Sequence, residues 1–280
     1  MKLLRHGPPG QEKPGLMAAD GTIRDLSAHV GDIAGAALAP DGLRALAGID
    51  PASLPLVAPG TRLGAPVAGM RNFVCIGLNY ADHAAETGAI PPTEPIIFLK
   101  SLSAIAGPDD DLLIPPGSTR TDWECELAVV IGTTARRVPR DTALTHVAGY
   151  TICNDVSERE WQMERGGTWD KGKGFDSFGP LGPWLVTADE IADPQNLAMF
   201  TELDGKPMQE GNSRTMIFGL AELVSYVSHC ITLYPGDIIA TGTPPGVGMG
   251  RKPPVFLRAG QHLRLGIEGL GEQNHKTANA

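Results

Sequence analysis

Two glutamates near the middle of the chain have the type and spacing to bind a cation. Glu124 and Glu126 lie in residues 122–132, which begin with alternating polar and apolar residues and end in an apolar run. This pattern predicts a strand that enters a buried sheet, with both carboxylates on the same face. Their repulsion and desolvation would be relieved by a shared proton or by a hard divalent cation, which takes oxygen ligands. On an exposed edge strand, both acids would instead be solvated.

A third carboxylate follows another predicted strand. Residues 149–154 form a β-rich apolar run that leads directly into Asp155. Ligand sites often lie at strand ends, so Asp155 is the candidate third ligand, and the alternative is an ordinary turn residue. Ser157 stands where a helix N-cap is expected, with Glu160 at the capping-box spacing, which predicts a short helix over residues 157–165.

A histidine and a glutamate at helical spacing could provide acid–base chemistry. Residues 73–77 are predicted to form a buried strand, and Asn79 is predicted to cap an Ala-rich helix that ends at Gly88. His83 and Glu86 would share one face of this helix. A carboxylate orients a neighbouring imidazole and raises its basicity, so the pair is a candidate general base. On a surface helix the same pair would be only a local ion pair.

Four motifs occur in an order that resembles a known family. They are the Glu-x-Glu strand, the Asn-Asp-Val-Ser segment at 154–157, the Gly-Lys-Gly-Phe-Asp-Ser-Phe-Gly-Pro run at 172–180 and the Thr-Gly-Thr-Pro-Pro-Gly turn at 241–246. Together they resemble the fumarylacetoacetate hydrolase family, from about Asn72 to Gly269. The resemblance implies a β-rich α+β fold, which is a mixed β-sheet roll of the fumarylacetoacetase C-terminal type with a small amino-terminal module. It also implies a homodimer.

The resemblance implies a metal centre with a base beside it. Glu124, Glu126 and Asp155 would bind Mg²⁺ or Mn²⁺. His83, oriented by Glu86, would activate a water molecule, on a short segment that orders over the bound substrate.

The resemblance also implies a third catalytic residue and two contacts with the substrate. Lys173 matches the family's active-site lysine, whose positive charge would stabilise negative charge that develops on a keto oxygen. Gln162 and Thr243 match substrate-binding positions. Without the resemblance they would be predicted as a solvated helix residue and a structural turn residue.

The implied reaction is hydrolysis of a carbon–carbon bond. The runs at 166–173 and 246–250 resemble bacterial hydrolases of 2,4-diketo-3-deoxy-L-rhamnonate and L-fuconate, whose sequences are often labelled ureidoglycolate lyases. Such enzymes cleave the C3–C4 bond of a 2,4-diketo acid to give pyruvate and lactate. Fumarylacetoacetase itself has an additional aspartate upstream of the catalytic histidine. Ile76 occupies that position here, which argues against fumarylacetoacetate as the substrate.

Two alternatives to this reaction use the same residues differently. Oxaloacetate decarboxylation, acylpyruvate cleavage or keto–enol isomerisation could occur on the same fold, and decarboxylation and isomerisation need no attacking water. Alternatively, a metal fully coordinated by protein would indicate a binding protein without turnover.

Composition limits the classes of partner and the cellular compartment that can be expected. The net charge of −9 argues against nucleic acid, because phosphate contacts need a basic surface. The four cysteines form no Cys-x-x-Cys pair, which predicts buried thiols in a reducing compartment. No signal-peptide region begins the sequence and no apolar stretch is long enough to cross a bilayer. A cytoplasmic protein is therefore expected, and the resemblance implies a small diketo acid as its partner.

The chain is expected to have two parts. Residues 1–70 are predicted to form a small amino-terminal module with a wrapping linker, and residues 71–280 the catalytic domain. An Ala-rich pattern predicts helix over residues 27–47, with a break at Pro40. After a last strand at 262–268, the residues beyond Gly271 are predicted to be a frayed tail.

Overall fold

The computed structural model of the chain spans residues 1–280 and describes all of them apart from the side chain of Thr87. The strands are, in chain order, β1 (Lys2–His6), β2 (Lys13–Met17), β3 (Ile23–Asp25), β4 (Leu63–Gly64), β5 (Phe73–Gly77), β6 (Ile96–Leu99), β7 (Ile105–Ala106), β8 (Leu112–Ile114), β9 (Thr121–Asp122), β10 (Cys125–Ile131), β11 (Val147–Asn154), β12 (Ser157–Glu158), β13 (Gly179–Thr187), β14 (Ala198–Leu203), β15 (Lys206–Asn212), β16 (Ile238–Ala240), β17 (His262–Ile267) and β18 (Gly271–Asn279). The α-helices are α1 (Pro40–Ala47), α2 (Ala81–Thr87), α3 (Arg159–Met163), α4 (Asp170–Lys173) and α5 (Leu220–Cys230).

The larger sheet joins strands from the start, middle and later parts of the chain. Its strand order is β3-β2-β1-β13-β11-β10-β16-β5-β6, with β4 paired to β1 and β7 paired to β13. Because β1 pairs with β13, the amino-terminal strands extend the sheet that carries the later residues. The division of the chain at residue 70 stays a prediction.

A second sheet packs against one face of the first. Its strand order is β15-β14-β17-β18-β8, and a hairpin about Asp204 and Gly205 joins β14 to β15. One hydrophobic core contains residues of both sheets together with α5, for example Leu127, Leu265 and Val224. The predicted β-rich α+β fold is confirmed.

The strand β10 sets the direction of Glu126, whereas Glu124 lies directly before it, in the break between β9 and β10. Its odd-numbered residues, such as Leu127 and Val129, lie in the core between the sheets. Its even-numbered residues Ala128 and Val130 lie in the other core, which includes amino-terminal residues. The strand's period of two therefore orients Glu126, like Ala128, away from the second sheet.

The carboxyl-terminal prediction is wrong. The residues beyond Gly271 do not fray but form β18, which pairs with β17 and with β8. Gln273, His275 and Thr277 alternate with more exposed residues and are buried. This inward face is polar, so it carried no hydrophobic signal of a strand.

Two helix starts also differ from the predictions. Glu158, not Ser157, caps α3, because its carboxylate accepts the N–H of Trp161 at 2.8 Å. Asn79 does not cap α2; its side-chain nitrogen donates to the carbonyl oxygens of Phe218 and Thr241 at 3.1 and 2.9 Å. Ser157 lies instead in β12, which pairs with β9, so in both cases tertiary contacts outweighed the local capping preference.

Other predictions have mixed outcomes. The Ala-rich stretch contains a 3-10 helix at Gly35–Leu38 and then α1, whereas residues 27–34 carry no helix. The predicted break at Pro40 is wrong, because Pro40 is the first residue of α1, where its missing N–H costs nothing. Cys75, Cys125 and Cys153 are buried and Cys230 is exposed, and all four are free thiols. Among the described helices, none combines the length and apolar character needed to cross a bilayer.

His275 on β18 is buried between two oxygen acceptors. Its Nδ1 lies 2.8 Å from the carbonyl oxygen of Asp110, and its Nε2 lies 3.0 Å from Oε1 of Gln273. Only a protonated ring could donate to both oxygens. Burial nevertheless lowers the pKa of His275 to about 4 and outweighs the hydrogen bond to Asp110 and the negative charge of that residue, so the ring is neutral at pH 7.

We expect His275→Gln to make the protein less sensitive to acid. The unfolded chain protonates this ring below its ordinary pKa of 6.5, whereas the native state resists protonation until about 4. The free energy of unfolding should fall by up to about 3 kcal/mol across that interval in the wild type, and this loss should be absent from the variant. Urea unfolding at several pH values measures it, with exposed His29→Gln as the matched control. Equal pH dependence in wild type and H275Q would contradict the assignment.

Candidate active site

One cavity of about 250 Å³ brings together nearly all the residues singled out in the sequence. Its lining includes His83, Glu124, Glu126, Asp155, Gln162, Lys173 and Thr243. Glu86 reaches the cavity through its contact with His83. The remaining lining is Arg159, Gly77, Gly242 and a set of apolar side chains.

The three acidic residues converge because of how β10 and β11 pair. The strands are antiparallel with Cys125 opposite Asn154, so Asp155 arrives beside Glu124 and donates its N–H to the Glu124 carbonyl at 2.9 Å. One carboxylate oxygen from each of Glu124, Glu126 and Asp155 lies within 4.8 Å of the other two, and all three residues are buried. A hard divalent cation can bridge such a set of oxygens.

Positive side chains surround this carboxylate cluster. Lys173 Nζ lies 2.6 Å from Oε2 of Glu124 and 2.6 Å from Oδ2 of Asp155. Lys100, directly after β6, donates to the other oxygen of Asp155. Arg159 Nη2 lies 2.7 Å from Oε1 of Glu124. The hydrogens on Arg159 Nη2 are not aligned with Oε1 of Glu124, so the contact between these two groups is mainly electrostatic.

The sequence analysis missed Lys100 and Arg159. Lys100 carried a usable signal, because an ionisable residue directly after an apolar strand is the same feature that identified Asp155. The signal for Arg159 in the sequence was weaker, because an arginine at the start of a short helix is usually solvated. Here it is 4% exposed.

The two glutamates experience opposite electrostatic environments. Burial alone would raise the pKa of Glu124, but the positive charges of Lys173 and Arg159 outweigh it and lower that pKa to about 2. Burial and the negative charges of Asp155 and Glu124 raise the pKa of Glu126 well above its ordinary value. Glu126 therefore holds the least compensated carboxylate of the cluster.

The residues present fit a divalent cation. Within the described part of the chain, Glu124 and Asp155 form ion pairs with lysine or arginine, whereas Glu126 forms none. Its Oε2 accepts the N–H of Gly242 at 2.9 Å. A dication would supply the missing positive charge, and an all-oxygen donor set suits Mg²⁺ or Mn²⁺.

Asp122 is a third residue that the sequence analysis did not single out. Its Oδ1 accepts the N–H of Gly248 at 2.7 Å, and its Oδ2 accepts the N–H of Met249 at 2.9 Å and Nε of Arg159 at 2.8 Å. Asp122 thus connects the loop at 246–250 to the arginine that contacts Glu124. The available signal was its alternation with the two glutamates, two residues before Glu124.

The histidine–glutamate pair is present as expected on α2. Nδ1 of His83 lies 3.2 Å from Oε2 of Glu86. The N–H of Gly246 lies 3.0 and 3.1 Å from the two oxygens of Glu86 and holds this carboxylate. Gly246 has a φ of +102°, and a Cβ there would lie 2.0 Å from the carbonyl oxygen of Met208, so only glycine fits.

The two expected substrate contacts are partly engaged by the protein. Thr243 Oγ1 donates to the carbonyl of Cys125 at 2.9 Å and accepts Nε2 of Gln209 at 2.8 Å, which leaves one acceptor lone pair. Oε1 of Gln162 accepts Nη1 of Arg159 at 2.9 Å, so its amide nitrogen is the group available as a donor.

Comparisons with known proteins show which family the chain is similar to. The family model described as fumarylacetoacetate (FAA) hydrolase C-terminal matches residues 72–277. A protein of Burkholderia ambifaria, named only as a hydrolase, is 63% identical over 281 residues, with 100% of each chain covered.

Two solved structures share the whole fold. A fumarylacetoacetate hydrolase from Exiguobacterium antarcticum has a TM-score of 0.88 at 35% identity, with 100% of each chain covered. A maleylpyruvate hydrolase from Sphingobium sp. SYK-6, in complex with manganese(II) and pyruvate, has a TM-score of 0.83 at 29% identity, also with 100% of each chain covered.

We expect Glu126→Gln to weaken binding of a divalent cation and to stabilise the protein without metal. The amide removes the least compensated charge of the cluster, so repulsion from Glu124 and Asp155 falls. It also removes one anionic ligand, and ligand charge is a main determinant of cation affinity, so a loss of roughly 100-fold is expected. Calorimetric titration with Mn²⁺ and thermal unfolding in chelator measure the two effects.

The half-exposed Glu202→Gln is the control for this substitution, because Glu202 contacts Arg264 outside the cavity. Unchanged Mn²⁺ affinity in E126Q would contradict the assignment of this carboxylate to the cation site.

We expect Asp122→Asn to reduce turnover and cation affinity although Asp122 does not line the cavity. The amide nitrogen would face an N–H group of the 246–250 loop or of Arg159, and it would release one of these contacts. Loss of such an outer partner typically costs roughly 10- to 100-fold in metal affinity or activity. Steady-state kinetics and Mn²⁺ titration test this, with Asp204→Asn in the exposed hairpin as control. Equal values for D122N and wild type would contradict it.

Proposed function

The chain belongs to the fumarylacetoacetate hydrolase family, and from this premise we propose that it is a divalent-metal-dependent hydrolase of carbon–carbon bonds. Its substrate would be a 2,4-diketo acid, cleaved between C3 and C4 to give pyruvate and a carboxylic acid. The 2,4-diketo-3-deoxy acids derived from L-rhamnonate or L-fuconate, which would release lactate, belong to this class.

The convergence of a cation site and an imidazole–carboxylate pair in one buried cavity carries the proposal. Glu124, Glu126 and Asp155 offer oxygens within 4.8 Å of one another, and His83 lines the same cavity. A 2-oxo acid offers hard oxygens on adjacent carbons, which suit the same cation. The manganese and pyruvate in the maleylpyruvate hydrolase structure support both the metal and the 2-oxo acid.

His83 would act as the general base toward water. Because its Nδ1 faces Glu86, we assign the proton to Nδ1 and proton acceptance to Nε2. Water deprotonated by Nε2 attacks the C4 carbonyl, and the C3–C4 bond then breaks with its electron pair left on C3 as the enolate of pyruvate. The proton held by His83 passes to C3, which returns the ring to its neutral form.

The positive charges of the site would stabilise the anion that forms. When bound, the divalent cation supplies Lewis-acid stabilisation of negative charge on the 2-oxo acid. Lys173 adds a buried ammonium 2.6 Å from both Glu124 and Asp155. The amide nitrogen of Gln162 would donate to a substrate oxygen, and Thr243 would shape the cavity beside it. The choice of Mg²⁺ or Mn²⁺ and a homodimeric state belong to the same proposal.

We expect His83→Gln to separate hydrolysis from decarboxylation. Hydrolysis of an acylpyruvate needs a deprotonated water, so its kcat should fall by about 10²- to 10⁴-fold. Decarboxylation of oxaloacetate needs the cation but no attacking water and should change only a few-fold. Pyruvate release from both substrates measures the effect, with exposed His229→Gln on α5 as control. An H83Q variant that hydrolyses acylpyruvate at the wild-type rate would refute the assigned base.

A further inference from the structure

The outer part of the cavity is apolar, and we propose that it selects a 2,4-diketo acid whose acyl group beyond C4 carries no charge. This inference rests on the proposed function and concerns the half of the substrate that the reacting groups do not contact. Four observations support it: the order of burial in the cavity, an aromatic wall, the positions of the cations and the cavity volume.

Burial orders the cavity from a polar floor to an apolar mouth. Glu124 is 6% exposed and Glu126, Asp155 and Lys173 less, so these groups form the floor. Met163 is 52% exposed and lies at the mouth. The half-buried lining residues between them include Leu78, Ala89, Trp169 and Met249. A 2-oxo acid bound at the floor would therefore extend its acyl group along apolar side chains.

An aromatic wall begins at the lysine of the floor. The ammonium of Lys173 lies 5.0 Å from the ring centre of Phe98, and the ring of Trp169 packs edge-on against Phe98 at 5.4 Å. Trp169 can lie here because residue 77 is glycine: a Cβ on Gly77 would be 2.3 Å from the indole. An acyl chain that leaves the keto acid beside Lys173 would contact this wall.

The cationic side chains of the cavity form ion pairs with the carboxylates of its floor. Arg159 and Lys173 line the cavity, and both are ion-paired with Glu124. Among the lining residues that the structure describes, no other lysine or arginine occurs. A carboxylate at the far end of the substrate would lose its hydration without gaining a counterion, which is strongly unfavourable. An alkyl group of the same size would gain from burial.

The cavity volume favours a short acyl group. At about 250 Å³ it falls below the range of roughly 300–1,000 Å³ that is usual for ligand sites. The diketo acid itself occupies part of this space. The lactoyl group of the sugar-derived substrates satisfies both limits, since it is short and uncharged.

The first experiment compares substrates that differ only at the far end. Butanoylpyruvate and succinylpyruvate differ by a terminal methyl against a carboxylate, and acetylpyruvate lacks two methylenes. We expect kcat/KM with Mn²⁺ to favour butanoylpyruvate over succinylpyruvate by about 100-fold or more, and over acetylpyruvate by about fourfold per methylene. Equal or better cleavage of succinylpyruvate overturns this inference and leaves the proposed function intact.

Binding of 2-oxo acids tests the preference for an uncharged acyl group even if the protein turns over no substrate. If no diketo acid yields pyruvate, the proposed function fails, and the selectivity is then measured from binding of 2-oxohexanoate and 2-oxoadipate to the Mn²⁺-loaded protein. These two acids again differ by a terminal methyl against a carboxylate. Tighter binding of 2-oxohexanoate supports an uncharged acyl group, whereas equal or tighter binding of 2-oxoadipate overturns it.

A variant tests whether the mouth sets the preference. Met163→Arg adds a cation at the mouth and should raise the ratio of succinylpyruvate to butanoylpyruvate cleavage by about tenfold or more. Leu144→Arg makes the same charge change at another exposed apolar residue, which does not line the cavity, and should leave the ratio unchanged. A ratio that does not move in M163R, or moves equally in L144R, overturns the assignment of the mouth as the specificity element.

Discussion

The structure depends on keeping a group of buried charges in balance. The acids of this group are Asp122, Glu124, Glu126 and Asp155, and the bases are Lys100, Arg159 and Lys173, each of them at most 6% exposed. Buried charges are tolerated only when they are paired and hydrogen-bonded, and here the acids outnumber the bases by one. The unpaired charge falls on Glu126, where a divalent cation would restore the balance. This one excess negative charge lowers the stability of the fold, and it also suits the site to a metal.

One loop connects the two chemical parts of the site. In residues 246–250, the N–H of Gly246 binds Glu86, whereas the N–H groups of Gly248 and Met249 bind Asp122. The first contact orients the imidazole partner, and the second fixes the arginine beside the carboxylate cluster. A displacement of this loop would therefore disturb the proposed base and the carboxylate cluster together.

The sequence predicted the site best where the period of a strand or a helix alone determines the face on which a side chain lies. Glu124 and Glu126 could be assigned to one face because a strand alternates strictly, and His83 and Glu86 because a helix repeats. Lys100, Arg159 and Asp122 were not connected with them, since their partners come from pairings between distant strands that no local period reveals. The fold shows the same limit: β18 buries polar residues, and so it was predicted to be a tail.

Lys173 bears on the stability of the carboxylate cluster when no divalent cation is bound. The ammonium bridges Glu124 and Asp155, so the carboxylates are already drawn together by a group the chain carries itself. Small domains that fold only around their metal lose their shape when a chelator removes it. Here an ammonium that belongs to the chain would hold the carboxylates together without metal, so that a divalent cation could bind without any need for the protein to refold.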